Sequence, residues 1–328
     1  MLRLLGFAAG LLVLAAGAAR AETKLEVSLF PSAGWVLNIG IAEGFFGKEG
    51  LAVHPNPVTG SVQQITGMME GKYDLGLTAL DNVIAYDAGQ GAAALKEQAD
   101  LFAFMGGDAG GLHLITAPAV KRIEDLKGKT LAVDAKTTGY AFVLYHILAQ
   151  HKLKQSDYEL VAVGSSQKRF EALSEGKAMG GLLDRPFDGF ATAKGFNDLA
   201  VMRKVLPRYQ ASVGMARRAW AKDHRAELVG FIRAYVASSL WLFDASHKDA
   251  AIDILVKTTP NLPRDNAARI YADTTGPEST TSPMAAMDPK GVATVVALRS
   301  RYGEPKKKLD AKRFYDLSYY QAAVAKAK

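Results

Sequence analysis

Six short polar segments carry the residue types that bind or react: 32–35, 59–62, 78–81, 136–140, 164–167 and the pair Asp184-Arg185. Each follows a run that reads as a β-strand, and three lead into a helical pattern through Ser, Thr or Gly. Free backbone N–H groups at a helix start hold an anionic or strongly polar group. An open α/β sheet presents such loops together, at the carboxyl ends of its strands. The candidate contact residues are therefore Ser32, Trp35, Gly60, Ser61, Thr78, Asp81, Thr137, Thr138, Gly139, Tyr140, Ser165, Asp184 and Arg185. Each Ser or Thr also reads as an ordinary helix cap, and each Thr-Gly as an ordinary turn. Trp35 and Tyr140 read either as stacking surfaces for a flat molecule or as core.

Covalent and metal chemistry find less support. There is no Gly-x-Ser-x-Gly elbow, and the chain has no cysteine to act as a thiol nucleophile. The segment Lys127-Gly128-Lys129-Thr130 has the end of a phosphate-binding loop, but Ile123 stands where that motif needs its first glycine and a strand follows where it needs a helix. The histidines at 54, 113, 146, 151, 224 and 247 form no i, i+4 pair around a Glu. The glycines between 106 and 111 do not make Gly-x-Gly-x-x-Gly. No cofactor, metal or catalytic group is expected, and the chain is read as a non-enzyme.

The elements that must position the six segments alternate. Strands are expected at 25–30, 51–53, 73–78 and 101–105, with helices from 35 to near Gly50, at 62–70 and at 81–89, where Asp81 would be the cap. The glycine-rich stretch 106–111 is a pliable break. The pattern restarts with strands at 112–116, 130–133, 158–163, 180–183 and 198–202 and helices at 123–126, 139–151, 167–175 and 186–195. A return crossing is expected near 207–213. The last third is helical: Leu228, Val229, Ile232, Tyr235, Val236, Ser239, Leu240 and Phe243 make a core stripe from 225 onward, and shorter helices follow around a loop at 277–283. Strands alternating with helices imply mostly parallel sheets covered on both faces.

Residues 1–21 read as a signal peptide removed after Ala21: Arg3, an apolar run from Leu4 to Ala18, then Ala19-Arg20-Ala21. The apolar run is short for a membrane span. Without Arg3 and Arg20 the net charge falls from +7 to +5, too mild to seek a polyanion, and no basic stripe interleaved with aromatics is present. With no cysteine there is neither a disulfide nor a lipid anchor, so a chain with 49% hydrophobic residues must rely on a large core.

The segments Ile41-Ala42-Glu43-Gly44-Phe45-Phe46-Gly47-Lys48-Glu49-Gly50-Leu51, Gly71-Lys72-Tyr73-Asp74-Leu75-Gly76-Leu77, Asp125-Leu126-Lys127-Gly128-Lys129 and Ala172-Leu173-Ser174-Glu175-Gly176-Lys177, with the helix around Phe231 to Trp241, follow one another in a telling order and spacing. In these the chain resembles the periplasmic binding proteins for sulfonates, nitrate, taurine and thiamine precursors that serve ABC importers. The resemblance implies the type II periplasmic binding fold: two α/β lobes, mostly parallel sheets, a hinge of two crossing strands and C-terminal helices. The boundaries expected are 1–21 signal, 22–111 first segment of lobe 1, 112–207 lobe 2, and 208–328 return to lobe 1.

The function implied is capture of a small organic solute, sulfonate- or carboxylate-like, in the interlobe cleft by hinge closure. Its delivery would be to an inner-membrane ABC permease, by a periplasmic monomer that is not membrane-inserted and binds no nucleic acid. Asp81, Asp108, Asp134 and Asp184 near the cleft, with Arg185 as the one nearby cation, suit nitrate poorly. A pyrimidine, a thiamine precursor or an amine-bearing solute is the alternative, as is a sensory protein whose closed form docks on a receptor. The same fold serves an enzyme of thiamine-pyrimidine synthesis, against which the signal peptide argues.

Overall fold

A computed structural model of the protein describes residues 22–325, and the expected signal peptide lies outside them. Ten strands run through the described residues: β1 (Thr23–Leu29), β2 (Leu51–Pro57), β3 (Leu75–Ala79), β4 (Leu101–Gly106), β5 (His113–Thr116), β6 (Thr130–Val133), β7 (Glu159–Ala162), β8 (Gly180–Leu183), β9 (Asn197–Val201) and β10 (Ser212–Arg217). They form two five-stranded sheets, ordered β2-β1-β3-β10-β4 and β7-β6-β8-β5-β9.

In the first sheet β1 runs parallel to β2 and β3, while β10 is antiparallel to β3 and β4. The inner strand β1 alternates, with Leu25, Val27 and Leu29 all buried. Strand β2 carries Pro55 and Pro57, which an edge strand tolerates because one side of it needs no N–H donor. Every residue of β4 is buried, as expected of a strand covered on both faces. Residues 207–213 were expected only to cross between lobes. Instead β10 extends to Arg217 and fills the gap between β3 and β4, because Val213, Met215 and Ala216 supply apolar surface to both faces. The second sheet repeats the plan, with β6 parallel to β7 and β8, and β5 antiparallel to β8 and β9.

The chain passes from the first sheet to the second over 107–112 and returns over 206–211. These crossings lie side by side, since the Ala211 N–H donates to the Asp108 carbonyl at 3.0 Å and the Met202 N–H to the Leu112 carbonyl at 2.9 Å. The helix Arg225–Phe243 is long and apolar enough to cross a membrane, with mean hydropathy 1.3. Its Phe231 and Ile232 are wholly buried in the core of the first lobe, as the stripe read from the sequence expects, but Leu240 of that stripe is exposed, because it lies on the face that no other element covers. The helix Pro289–Tyr302 lies against a helix of each lobe, Leu80–Asp87 and Gly139–Gln150, and one apolar cluster runs through all three.

Candidate functional site

Between the two sheets lies a cavity of about 270 Å³. From the first lobe come Phe30, Pro31 and Trp35 after β1, Thr78 at the end of β3 and Asn82 after it. From the second come Asp134 after β6, Thr138 to Tyr140, Ser165 to Gln167, and Asp184 to Phe187 after β8. The crossings add Asp108 and Gly111, and the C-terminal loop adds Thr280, Thr281 and Ser282. The parallel strands contribute at their carboxyl ends, where the alternation directs the loops, and the antiparallel β10 adds Ser212 and Val213 from its amino end.

Two helices of the second lobe begin at this cavity. The Thr138 hydroxyl accepts from the Ala141 N–H at 3.4 Å, and the Ser165 hydroxyl from the Lys168 N–H at 3.5 Å. Both residues are therefore caps and line the cavity at once. The N–H groups of the first turns, Gly139 and Tyr140 in one helix and Ser166 and Gln167 in the other, have no acceptor within their own helix. One turn into the second helix stands Arg169, only 4% exposed, whose guanidinium donates to the carbonyls of Leu182 (2.7 Å) and Gly164 (2.8 Å) and to the Ser166 hydroxyl (3.3 Å). Ser166 also accepts from the Asp184 N–H at 2.9 Å, tying the end of β8 to the helix start.

The carboxylates sit in unlike surroundings. Burial pushes Asp134 above the usual range, against the opposing charge of Arg169 and a 3.1 Å hydrogen bond from the Ser61 hydroxyl. Burial likewise raises Asp108, although the Gly110 N–H at 2.7 Å and the Ser212 hydroxyl both donate to it. Burial, with Asp108 and Asp184 nearby, drives the Tyr140 phenol far up, so it stays a neutral donor.

Trp35, Thr78, Thr138, Gly139, Tyr140, Ser165, Asp184 and Arg185 line the cavity together. Ser32 sits in the 3-10 turn Pro31–Ala33, between two lining residues. Gly60, Ser61, Asp81 and Thr137 are not part of the lining. Asp81 does not cap a helix either: the helix Leu80–Asp87 starts one residue earlier, behind Ala79, without a side-chain cap. Asp81 is 1% exposed and faces Arg299, itself wholly buried, whose Nε lies 2.9 Å from its carboxylate. Arg299 also donates to the Thr137 carbonyl at 2.7 Å and stands 4.4 Å from the centre of the Phe142 ring. Gly139 packs so closely here that a Cβ would come within 2.3 Å of the Asp81 Cβ. Asp81 and Thr137 are thus a joint between lobes, and Arg185 is not the one nearby cation, because Arg169 lines the cavity and Arg299 neutralises Asp81.

Gly60 and Ser61 belong to a second interlobe contact, at the lobe tips. The Ser165 N–H donates to the Thr59 carbonyl at 3.1 Å. Gly164, at φ +98°, lies where a Cβ would come within 2.8 Å of that carbonyl oxygen, so glycine is required on both counts. Sequence reading missed Asn82 and Arg169, and named the segment 164–167 without choosing Ser166 as a contact. The spacing of Ser166 and Arg169, one turn apart at a helix start, was the available signal.

A smaller cavity of about 180 Å³ shares Arg185, Pro186 and Ile270 with the first. On its wall, His113 Nδ1 lies 2.7 Å from Asp198 and Nε2 3.9 Å from Asp188. Burial pulls this imidazole down, but Asp198 and Asp188 outweigh it and hold it above its ordinary value.

Comparison with known proteins agrees with this architecture. The nitrate-binding protein NrtA of Synechocystis PCC 6803 superposes with a TM-score of 0.80 at 11% identity, over 94% of this chain and 89% of that one. The aliphatic sulphonate-binding protein SsuA of Escherichia coli gives 0.68 at 19%, over 89% and 91%. A mutant of DszB in complex with biphenyl-2-sulfinic acid gives 0.66 at 12%, over 92% and 99%. No curated protein matches the chain by sequence. The family model described as NMT1/THI5 like matches residues 36–246, well over half of the chain. With that match, and with two five-stranded sheets enclosing a cavity at their strand ends, the chain belongs to the NMT1/THI5-like family and has the type II periplasmic binding fold.

Proposed function

We propose that the protein is the periplasmic substrate-binding component of an ABC importer, capturing a small organic solute between its lobes and passing it to an inner-membrane permease as a non-enzymatic monomer. The observation that carries this reading is the interlobe cavity onto which two helix starts of one lobe and the loops of the other converge. Thr138, Gly139, Tyr140, Ser165 and Arg185 are assigned to a sulfonate- or carboxylate-like group, with Thr78 and Asn82 closing on it from the first lobe. The carboxylates Asp108, Asp134 and Asp184 on the same wall favour a second reading, an amine-bearing or pyrimidine solute. A thiol-dependent reaction is unsupported in a chain without cysteine.

The test is thermal unfolding of ligand-free protein against sulfonates, carboxylates, nitrate, amines and pyrimidines. A solute at 100 times its dissociation constant adds about 2.7 kcal/mol of stability, visible as a raised midpoint. A shift confined to one head-group class supports solute capture and names the head. No shift with any class counts against it.

A further inference from the structure

The cavity has two unlike ends. All of its charged lining residues, Asp108, Asp134, Asp184, Arg169 and Arg185, stand between the lobes or at the crossings. The other end runs under the C-terminal helices, where Trp35, Val36, Leu242, Leu255, Leu262 and Ile270 line it and also belong to or pack on one apolar cluster. Among the described residues lining this end, none is charged. Two of its polar groups are turned away: the Trp35 indole N–H donates to the Ala251 carbonyl at 3.0 Å, and the Thr258 hydroxyl to the Ile254 carbonyl of its own helix at 2.8 Å. A guest here meets hydrocarbon, an aromatic face and a few uncharged side chains such as Ser239 and Thr274. Exposed Thr258 and half-exposed Thr259, between two helices, also line this end.

We propose that the solute is amphiphilic, with its polar head between the lobes and an alkyl or aryl body in this chamber, which opens to solvent at Thr258 and Thr259. The inference rests on the solute-binding reading above and narrows it. Size agrees: a cavity of roughly 150 Å³ admits benzene, so about 270 Å³ accommodates a head group and a body of roughly six to ten carbons. The side mouth adds a further property, because a tail longer than the chamber emerges into water instead of clashing.

The experiment is calorimetric titration of the mature protein with paired probes: ethanesulfonate against octanesulfonate, propionate against nonanoate, and ethylammonium against octylammonium, followed by dodecyl forms of whichever head binds. Within the pair that binds, affinity should rise by about fourfold for each buried methylene and then level off in the dodecyl form. Ile270→Phe, which narrows the chamber, should remove most of that rise and leave the short probe unchanged. Ile270→Val, which leaves space, should retain it. Equal affinity for short and long members, or an equal effect of Ile270→Phe on both, overturns the chamber while leaving solute capture standing. Absence of heat with every pair overturns solute capture, and the chamber's role with it.

Discussion

At the helix Pro289–Tyr302 the lobes meet across a dry surface: a wholly buried guanidinium, one carboxylate, one carbonyl, and an apolar cluster drawn from both sides. At the lobe tips they meet through one backbone hydrogen bond and one hydroxyl on a half-buried carboxylate. Opening the first contact breaks the Arg299 bond to the Thr137 carbonyl and exposes apolar surface drawn from both lobes, whereas opening the second lets water replace each bond as it breaks. The difference assigns the roles. The buried contact is the fixed joint, and the tips are the part that must separate for a solute to enter.

The largest effect expected follows from that contrast. Arg299→Met leaves Asp81 buried without its cation and should cost about 3–5 kcal/mol in denaturant unfolding, while Asp81→Leu combined with Arg299→Met should recover much of the loss. A single variant as stable as the parent would erase the distinction between joint and latch. Next, Thr138→Val should weaken binding of an anionic head, and Asp184→Ala binding of an amine-bearing one, each by about tenfold, the scale of one lost charge-assisted hydrogen bond, while the midpoint of the empty protein moves by a few degrees. Unchanged affinity in both would make these residues caps and nothing more.

Ser61→Ala removes one tip contact and should cost about 1 kcal/mol of closure, read as a several-fold weaker affinity with unchanged stability of the empty protein. If stability falls instead, the tips belong to the fixed joint. The smallest effect is at His113. Its folded-state pKa is raised, so its contribution is complete below the ordinary value of 6.5 and is lost as pH rises through the folded value. Between about pH 6 and 8 stability should therefore fall by less than about 1 kcal/mol, a slope that His113→Gln abolishes and Arg299→Met leaves intact.

Local pattern made much of the fold legible. The strands Thr130–Val133 and Gly180–Leu183 and the helix Arg225–Phe243 stand where period and punctuation place them. What the pattern could not show depends on partners far apart in the chain. Nothing in the neighbours of Asp81 announces Arg299, 218 residues away, and an arginine in the amphipathic helix 289–302 reads as solvent-facing until the second lobe covers it. The same applies to the cavity wall at Ile270 and Thr280 to Ser282, because a stripe of ordinary polarity does not reveal which surface it faces. The loops at the strand ends were legible because parallel topology alone decides where they go.

The placement of β10 between β3 and β4 bears on the protein's unfinished life. A nascent chain that has released β1 to β4 cannot complete the first sheet, because the strand that joins β3 to β4 arrives only with residues 212–217, after the whole of the second lobe. Until then two largely apolar strands present bare edges, the template on which other chains pair. Truncated or stalled forms ending before Ser212 should thus be the ones that aggregate or call on a chaperone.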